Sequence, residues 1–155
     1  MGRATQRLRV PLDRFINQAL DELSLAEKGA TESRDIQPGI AVNADPEALK
    51  QVVTNLAQNA LKYAPGAPQR WTVFAADGRA AIRVQDGGPG ISRQDLPHIF
   101  ERFYRGEKAR DRSTGGSGLG LAIAKSIVEA HHGSIEAESE PGSGATFTAW
   151  LPLAA

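Results

Sequence analysis

The stretch TGGSGLGLAIAKSIVEAHHG, residues 114–133, places four glycines within seven residues directly before an apolar repeat of helical spacing. The repeat predicts a helix over residues 119–132 that Gly133 ends, with four residues turned inward: Leu119, Ile123, Ile127 and Val128. Glycines in front of a helix have two interpretations. They form a flexible hinge, or they let a ligand reach the unpaired N–H groups of the first helical turn. Taken alone, this segment leaves both open.

The composition is that of one globular domain. The chain has 155 residues, of which 41% are apolar and 23% charged. Its 18 basic and 18 acidic residues cancel, which argues against binding to nucleic acid or directly to a membrane surface. The absence of cysteine excludes disulfides and thiolate metal sites. Because no apolar run approaches the ~18 residues of a membrane helix, we expect a soluble domain.

The rest of the chain reads as mixed helices and strands. Further helices are predicted over residues 12–28, from Pro46 to a stop at Pro65-Gly66, and briefly over 92–100. Strands are predicted over 31–36, 40–43, 71–76, 79–85, 134–139 and 145–151. Strands that follow one another without an intervening helix favour antiparallel pairing. The expected class is therefore α+β: a two-layer sandwich of a mixed, mostly antiparallel sheet with three long helices on one face.

Four polar residues share one face of the second helix, away from its leucine–valine stripe. Asn55, Asn59, Lys62 and Tyr63 are spaced i, i+4, i+7 and i+8. Amide oxygens can ligate Mg²⁺, an ammonium can meet phosphate, and a phenol ring can stack on a base. An ordinary solvated helix face is the simpler interpretation of this pattern on its own.

A carboxylate falls on the apolar side of a predicted strand. Asp86 continues the inward alternation of residues 79–85 and opens the turn DGGPG. A buried carboxylate needs a partner, because an unpaired one is costly to desolvate. A backbone N–H of the turn and a donor on a ligand, such as an exocyclic amine, both fit. Gly88 and Gly90 would let the main chain approach closely or take positive φ.

In combination, four motifs resemble one family. Asn-x3-Asn-x2-Lys-Tyr, Asp-x-Gly-x-Gly, Phe-Glu-Arg-Phe-Tyr-Arg and Gly-x-Gly-Leu-Gly-Leu follow one another in the order of the catalytic ATP-binding domain of sensor histidine kinases. This domain belongs to the superfamily that includes gyrase B, MutL and the heat-shock chaperones. The resemblance runs from residue 9 to residue 153. It implies an ATP-binding α/β sandwich over residues 10–155, preceded by a tail or the end of a connecting helix over residues 1–9.

The resemblance assigns roles to individual residues. Asn59 would be the Mg²⁺ ligand, with Asn55 lining the same site, while Lys62 and Arg105 would contact phosphate. Tyr63 would lie against adenine. The rest of the nucleotide site would comprise Asp86 as acceptor of the adenine amine, Gly88, Gly90 and Ile91 around the base, and Gly116, Gly118, Leu119 and Gly120 around the triphosphate.

Two further features follow from the resemblance. Residues 105–117 would form a mobile lid over the nucleotide, with Phe100 and Phe103 docking its base. Gly142 and Gly144 match a last, weaker glycine motif, for which a plain hairpin turn is the favoured interpretation.

The identity of residue 55 separates branches of the superfamily. Hydrolytic members and anti-sigma-factor serine kinases carry a Glu there as general base. An amide does not accept a proton at neutral pH, so slow hydrolysis is expected. A GHKL-type ATPase or serine kinase, and an interaction module that has lost its nucleotide, are the alternatives.

The family's acceptor histidine is not recognisable in this sequence. His98, His131 and His132 are interpreted as structural, and an imidazolium would suit the end of the third helix. The resemblance therefore implies a catalytic domain that donates the γ-phosphate of ATP to a separate dimerisation domain, and so serves a response regulator indirectly. It further implies a cytoplasmic domain of a membrane-anchored sensor kinase.

Overall fold

The computed structural model describes residues 7–102 and 119–155, which form an α+β sandwich. The helices are α1 (Leu12–Leu23), α2 (Pro46–Tyr63) and α3 (Gly120–Ala130), with short 3-10 turns at Leu25–Lys28 and Leu96–His98. The strands are β1 (Leu8–Pro11), β2 (Glu32–Ile36), β3 (Ala41–Ala44), β4 (Gln69–Ala76), β5 (Arg79–Asp86), β6 (Ser134–Ser139) and β7 (Ala145–Pro152). Among the described helices, none is long and apolar enough to cross a membrane.

The main sheet has five strands in the order β2-β4-β5-β7-β6. Three of its four pairings are antiparallel, which confirms the predicted mixed, mostly antiparallel sheet. The exception is β2, which pairs parallel with β4. Strand β3 pairs instead with β1 in a separate two-stranded sheet. The expected antiparallel pairing of β2 with β3 is therefore wrong, because α2 carries the chain from β3 across the sheet before β4 begins.

One layer of apolar side chains joins the helices to the inner face of the sheet. Trp71 and Ile82 are fully buried there, against residues of α1 and α2. The indole N–H of Trp71 donates to Gln69 Oε1 (3.0 Å), and Gln69 Nε2 donates to the Ala57 carbonyl of α2 (3.2 Å). This chain of bonds satisfies the buried polar atoms and fixes α2 against β4.

Helix α1 ends earlier than its apolar repeat predicts. Ser24 takes a left-handed conformation (φ 51°) and its N–H bonds to the Leu20 carbonyl, so the helix stops at Leu23. The apolar pattern continues because Leu25 is buried in the following 3-10 turn. The apolar periodicity alone does not distinguish one continuous helix from a helix followed by a 3-10 turn.

Two ion pairs hold the outer side of α1. Arg34 on β2 bonds to Glu32 and to Asp21 of α1, and the hydrogen bond to Glu32 is the main reason that the pKa of Arg34 is raised. At the other side, Lys50 of α2 bonds to Glu22, which lowers the pKa of that carboxyl. Glu22 is solvent-exposed, so this pair contributes little to stability.

The start of α2 agrees with its sequence signals. Asp45 is the N-cap, and its side chain accepts a hydrogen bond from the Glu47 N–H (3.0 Å). Pro46 is the first helical residue, and the helix ends at Tyr63, before Pro65. The predicted apolar stripe is buried as expected, at Leu49, Val52, Val53, Leu56 and Ala60.

Helix α3 is rotated from its predicted orientation. Its fully buried residues are Ala124 and Val128, whereas Ile123 is 40% exposed and Ile127 is half-buried. Val128 is buried as predicted, but Ala124 takes the inward place expected of Ile123, so the buried face is turned toward Ala124. The helix is apolar on most sides, so small Ala124 can face the core while larger residues lie beside it.

Gly133 provides a test of how closely the end of α3 packs on the sheet. A Cβ at this position would lie 2.0 Å from the Trp150 carbonyl oxygen, which belongs to the β7 backbone and has no room to move. We predict that Gly133→Ala lowers the free energy of unfolding by about 1–3 kcal/mol. Urea denaturation monitored by tryptophan fluorescence measures this.

Gly120→Ala is the matched control. Among the residues that the structure describes, nothing lies within 4 Å of a Cβ at Gly120, and alanine is the better helix former by about 1 kcal/mol. This variant should be as stable as the original protein or more so. Equal losses in both variants would contradict the packing argument.

Candidate functional site

The polar face of α2 divides into a buried and an accessible part. Asn55 is 7% exposed, while Asn59, Lys62 and Tyr63 are half-buried. The Lys62 Nζ lies 5.2 Å from the centre of the Tyr63 ring. Asn59, Lys62 and Tyr63 are thus more accessible than Asn55, a difference that the sequence pattern alone did not indicate.

Asn55 joins α2 to the first turn of α3. Its Nδ2 donates to the Gly120 carbonyl (2.9 Å), and its Oδ1 accepts from Gln51 Nε2 (2.7 Å). Both ends of the amide are thus hydrogen-bonded within the protein. This arrangement fixes where the helix that follows the glycine-rich segment begins.

Asp86 is buried at the end of β5, as its place in the alternation predicted. It is 7% exposed, and its Oδ1 accepts hydrogen bonds from the N–H groups of Gly88 (3.0 Å) and Ala145 (3.3 Å). In the described part of the chain, the hydrogen bonds to this carboxylate all use Oδ1. The turn-capping interpretation is therefore correct, and it leaves Oδ2 for a second donor.

The turn after Asp86 packs directly on the end of α2. A Cβ at Gly88 would lie 2.3 Å from the Ala64 Cβ, so only glycine permits this approach. Gly90 has φ 81° and faces the Glu140 carbonyl, where a Cβ would come within 2.6 Å. Both glycines of the Asp-x-Gly-x-Gly motif thus stand where a larger residue would collide with its neighbours.

The β6–β7 turn supports the same carboxylate, which sequence reasoning missed. Gly144 has φ 83°, and a Cβ there would lie 2.0 Å from the Asp86 carbonyl oxygen. The Gly142 N–H donates to the Pro89 carbonyl (2.6 Å). The interpretation of Gly142 and Gly144 as part of a hairpin turn is confirmed by the antiparallel pairing of β6 and β7, but the turn is also packed onto the turn that follows Asp86.

Ser139 connects the two turns, and no sequence signal marked it. Its Oγ accepts from the Ile91 N–H (2.7 Å) and donates to the Gly144 carbonyl (2.9 Å). Ile91 is itself half-buried against the core. Ser139 is the last residue of β6, and only the fold brings it to Ile91.

The first turn of α3 presents donors that no side chain caps. The first hydrogen bond into the helix runs from the Ile123 N–H to the Leu119 carbonyl (2.8 Å), so the N–H groups of Gly120 to Ala122 precede it. Within the described residues no side chain accepts a hydrogen bond from these N–H groups, in contrast to the start of α2, where Asp45 accepts from Glu47. No atom of the described residues lies within 4 Å of a Cβ built at Gly120, so this part of the protein leaves room for an anion to approach these groups.

These parts follow one another along the length of α2. Asn55 touches the start of α3, and Ala64, one residue after α2 ends, touches Gly88 beside Asp86. The two contact points are nine residues apart, or about 14 Å along a helix. Asn59, Lys62 and Tyr63 lie between them. The arrangement is a polar strip with anion donors at one end and a buried carboxylate at the other.

Several predicted site residues lie outside the described part of the chain. These are Arg105, Gly116 and Gly118, together with Phe103 and the whole lid at residues 105–117. Phe100 is described and half-buried, with its ring 6.1 Å from that of Phe147 in an edge-to-face contact. It anchors the segment that leads toward residue 102.

The candidate metal ligand in the described part of the site is an amide side chain. No group of three or more His, Asp or Glu side chains in residues 7–102 and 119–155 is arranged to hold a metal ion. Asn59 supplies one half-buried amide oxygen on the polar strip. Such a donor fits a Mg²⁺ ion that keeps most of its ligands from phosphate and water.

Comparison with known proteins agrees with this geometry. Residues 44–155 match the family described as histidine kinase-, DNA gyrase B-, and HSP90-like ATPase. The chain belongs to this family. It is 47% identical over 118 residues to the signal transduction histidine-protein kinase AfsQ2 of Streptomyces coelicolor, covering 76% of this chain and 22% of that protein. It is 41% identical over 149 residues to the sensor protein kinase WalK of Staphylococcus epidermidis, covering 92% and 24%.

Solved structures of histidine kinases share the fold. The mycobacterial sensor histidine kinase MprB superposes with a TM-score of 0.80 at 29% identity, covering 95% of this chain and 97% of that one. Full-length ShkA in complex with AMPPNP superposes with a TM-score of 0.84 at 30% identity, covering 99% and 32%. The resemblance and the fold class inferred from the sequence are thus confirmed. The chain carries the ATPase-type catalytic domain and spans about a quarter of the length of AfsQ2 and WalK.

The link between the two turns can be tested at Ser139. We predict that Ser139→Ala removes two hydrogen bonds, lowers the free energy of unfolding by about 1–2 kcal/mol and speeds amide hydrogen exchange at Ile91. Native-state exchange followed by NMR measures both effects.

Ser143→Ala is the control, because Ser143 is exposed in the same turn and is held by its backbone N–H. It should leave exchange at Ile91 unchanged. Slow exchange at Ile91 in the Ser139 variant would show that the serine does not join the turns.

Proposed function

We propose that this chain is the ATP-binding catalytic domain of a sensor histidine kinase, which binds Mg²⁺-ATP and donates the γ-phosphate to a histidine on a separate dimerisation domain. The observation that carries the proposal is the difference between the two carboxylate oxygens of Asp86. Oδ1 accepts hydrogen bonds from the turn, whereas within the described residues Oδ2 is left for a ligand donor at the end of the polar strip.

The adenine end of the site follows from this carboxylate. Asp86 Oδ2 would accept a hydrogen bond from the exocyclic amine of adenine, beside the close-packed Gly88 and Gly90. Ile91 offers an apolar surface and Tyr63 a ring for the base. A base with a carbonyl in place of the amine would meet a repulsive acceptor, so the same group would select adenine over hypoxanthine or guanine.

The phosphate end would lie at α3. The N–H groups of the first turn, beginning at Gly120, and the helix dipole favour negative charge there. Leu119, Gly116 and Gly118 belong to the same proposed cradle. Lys62 and Arg105 would add positive charge, and Asn59 would ligate the metal. Bound Mg²⁺ would neutralise charge on the phosphates during transfer.

Transfer rather than hydrolysis is supported by Asn55. Hydrolysis needs a general base to take a proton from water, and an amide does not serve at neutral pH. Both polar atoms of Asn55 are also engaged by Gly120 and Gln51. A neutral imidazole brings its own lone pair, so its nitrogen forms the bond to phosphorus while the bond to the β-phosphate oxygen breaks and ADP leaves. The imidazole N–H proton passes to solvent or to the partner domain.

The partners would be those of a two-component system. The chain would act on the dimerisation and phosphoacceptor domain of its own kinase, and through it on a response regulator. The relatives named above are sensor kinases, which supports a place on the cytoplasmic side of a membrane-anchored protein.

Asp86→Asn tests the adenine contact without removing the turn. The asparagine oxygen can still accept from Gly88 and Ala145, but its NH₂ group would face the adenine amine. We predict at least tenfold weaker binding of a non-hydrolysable ATP analogue, and a smaller loss or a gain for the inosine analogue, whose carbonyl can accept that N–H.

Calorimetry at fixed Mg²⁺ measures both affinities. Asp35→Asn, an exposed carboxylate on β2, is the control for loss of charge. Unchanged discrimination between the adenine and inosine analogues in the Asp86 variant would contradict the proposed contact.

Asn59→Ala tests the metal contact. We predict that the variant binds the ATP analogue with the same affinity with and without Mg²⁺, whereas the original protein binds it more tightly with Mg²⁺. The adjacent amide variant Gln58→Ala, at an exposed position, should keep the metal dependence. Rapid steady-state phosphate release by the original protein would favour an ATPase instead.

A further inference from the structure

Helices α2 and α3 are joined by polar bonds at two separate places. One is the bond from Asn55 to the Gly120 carbonyl at the start of α3. The other lies at the opposite end of α3, where the Asp45 N–H donates to His131 Nε2 (3.2 Å). The two places are ten residues apart on α2 and eleven on α3, so the helices run antiparallel with a fixed register.

The two hydrogen-bond partners of His131 indicate which ring nitrogen donates and which accepts. It is 7% exposed, and Nδ1 lies 2.8 Å from the Ile127 carbonyl, which accepts only an N–H. Nε2 faces an N–H donor and must therefore be the acceptor. These two contacts fit a ring that donates from Nδ1 and accepts at Nε2.

The position of the acceptor matters because Asp45 is the N-cap of α2. Its side chain bonds to the Glu47 N–H while its backbone N–H bonds to His131. The imidazole therefore ties the first residue of α2 to the last turn of α3. The end of α3 is held further by Gly133 against the Trp150 carbonyl and by Arg7, which donates to the Ala130 carbonyl (2.5 Å).

We propose that His131 is a positioning residue for the nucleotide site. Together with Asn55, it holds α3 in the one register in which the open first turn at Gly120 faces the strip that carries Asn59 and Lys62. Without the bond to Asp45, the bond from Asn55 is the remaining one of these two polar links between the helices, and we expect α3 to shift on α2 within the limits set by Gly133 and Arg7. The inference rests on the proposed function, since it concerns the place of the triphosphate donors.

A role as phosphoryl acceptor does not fit this histidine. Both ring nitrogens are engaged, and the side chain is buried. A role confined to capping α3 is the other alternative, because the Nδ1 bond to Ile127 alone would satisfy it. The two roles use different nitrogens, so conservative variants can separate them.

The experiment compares His131→Gln with His131→Asn. The longer glutamine can place an acceptor near the position of Nε2 and keep the bond to Asp45, while asparagine reaches only the position of Nδ1. Calorimetry measures the affinities of a non-hydrolysable ATP analogue with Mg²⁺ and of adenosine. We expect glutamine to bind the analogue within about threefold of the original protein and asparagine about tenfold more weakly. Adenosine affinity should be unchanged in both.

Amide hydrogen exchange provides the readout that a purely structural role would not move. In the asparagine variant, exchange should speed up at Gly120 and its neighbours, at the far end of α3. In the original protein, the ATP analogue should slow exchange of the Asp45 N–H, because coupling between two sites is reciprocal. This second measurement holds even where a variant fails to fold.

The outcomes are distinct. A protein that binds no nucleotide would overturn the proposed function and leave the bond itself standing. Equal analogue affinities in the two variants, an equal loss of adenosine affinity, or no protection of the Asp45 N–H on nucleotide binding would overturn the positioning role.

Discussion

A buried carboxylate must be satisfied, and the way Asp86 is satisfied organises one end of this molecule. Its Oδ1 collects the N–H groups of Gly88, in the turn after β5, and of Ala145, at the start of β7. Two turns from distant parts of the chain therefore converge on one atom. Because their backbones must come this close, Gly88 and Gly144 stand where a Cβ would collide.

Helix α2 is the second organising element, since the described parts of the candidate site either lie on it or contact it. Its apolar stripe fixes it to the sheet, and the buried amide of Gln69 bonds to its backbone from β4. With that side fixed, the polar strip has one possible direction. The packing of α2 in the core therefore determines where the polar strip lies. Helix α3 is positioned relative to it by Asn55 at one end and His131 at the other.

Much of this architecture was predictable because its signals are local. Asp45 and Pro46 mark the start of α2 by capping chemistry that needs no knowledge of the fold. Asp86 was identified because strand alternation states which face a residue occupies. The order of the four motifs then indicated the family, and the comparisons confirm it.

The errors arose where the deciding contact is distant in sequence. The parallel pairing of β2 with β4 depends on the crossover through α2, and the rotation of α3 depends on how Ala124 fits the core. Ser139 and Gly144 gain their roles only from Ile91 and Asp86, which lie far earlier in the chain. No periodicity encodes such contacts.

The first turn of α3 shows how stability and binding compete at one residue. Alanine at Gly120 would meet no atom of residues 7–102 and 119–155 within 4 Å and would favour the helix, so contacts in the described part of the chain give no reason for glycine there. Gly133, by contrast, is required by its contact with the β7 backbone. Of these two glycines, one at the start of α3 and one just beyond its end, Gly133 is explained by packing, whereas the described contacts do not explain Gly120. The space around Gly120 within residues 7–102 and 119–155 is consistent with the anion site proposed there.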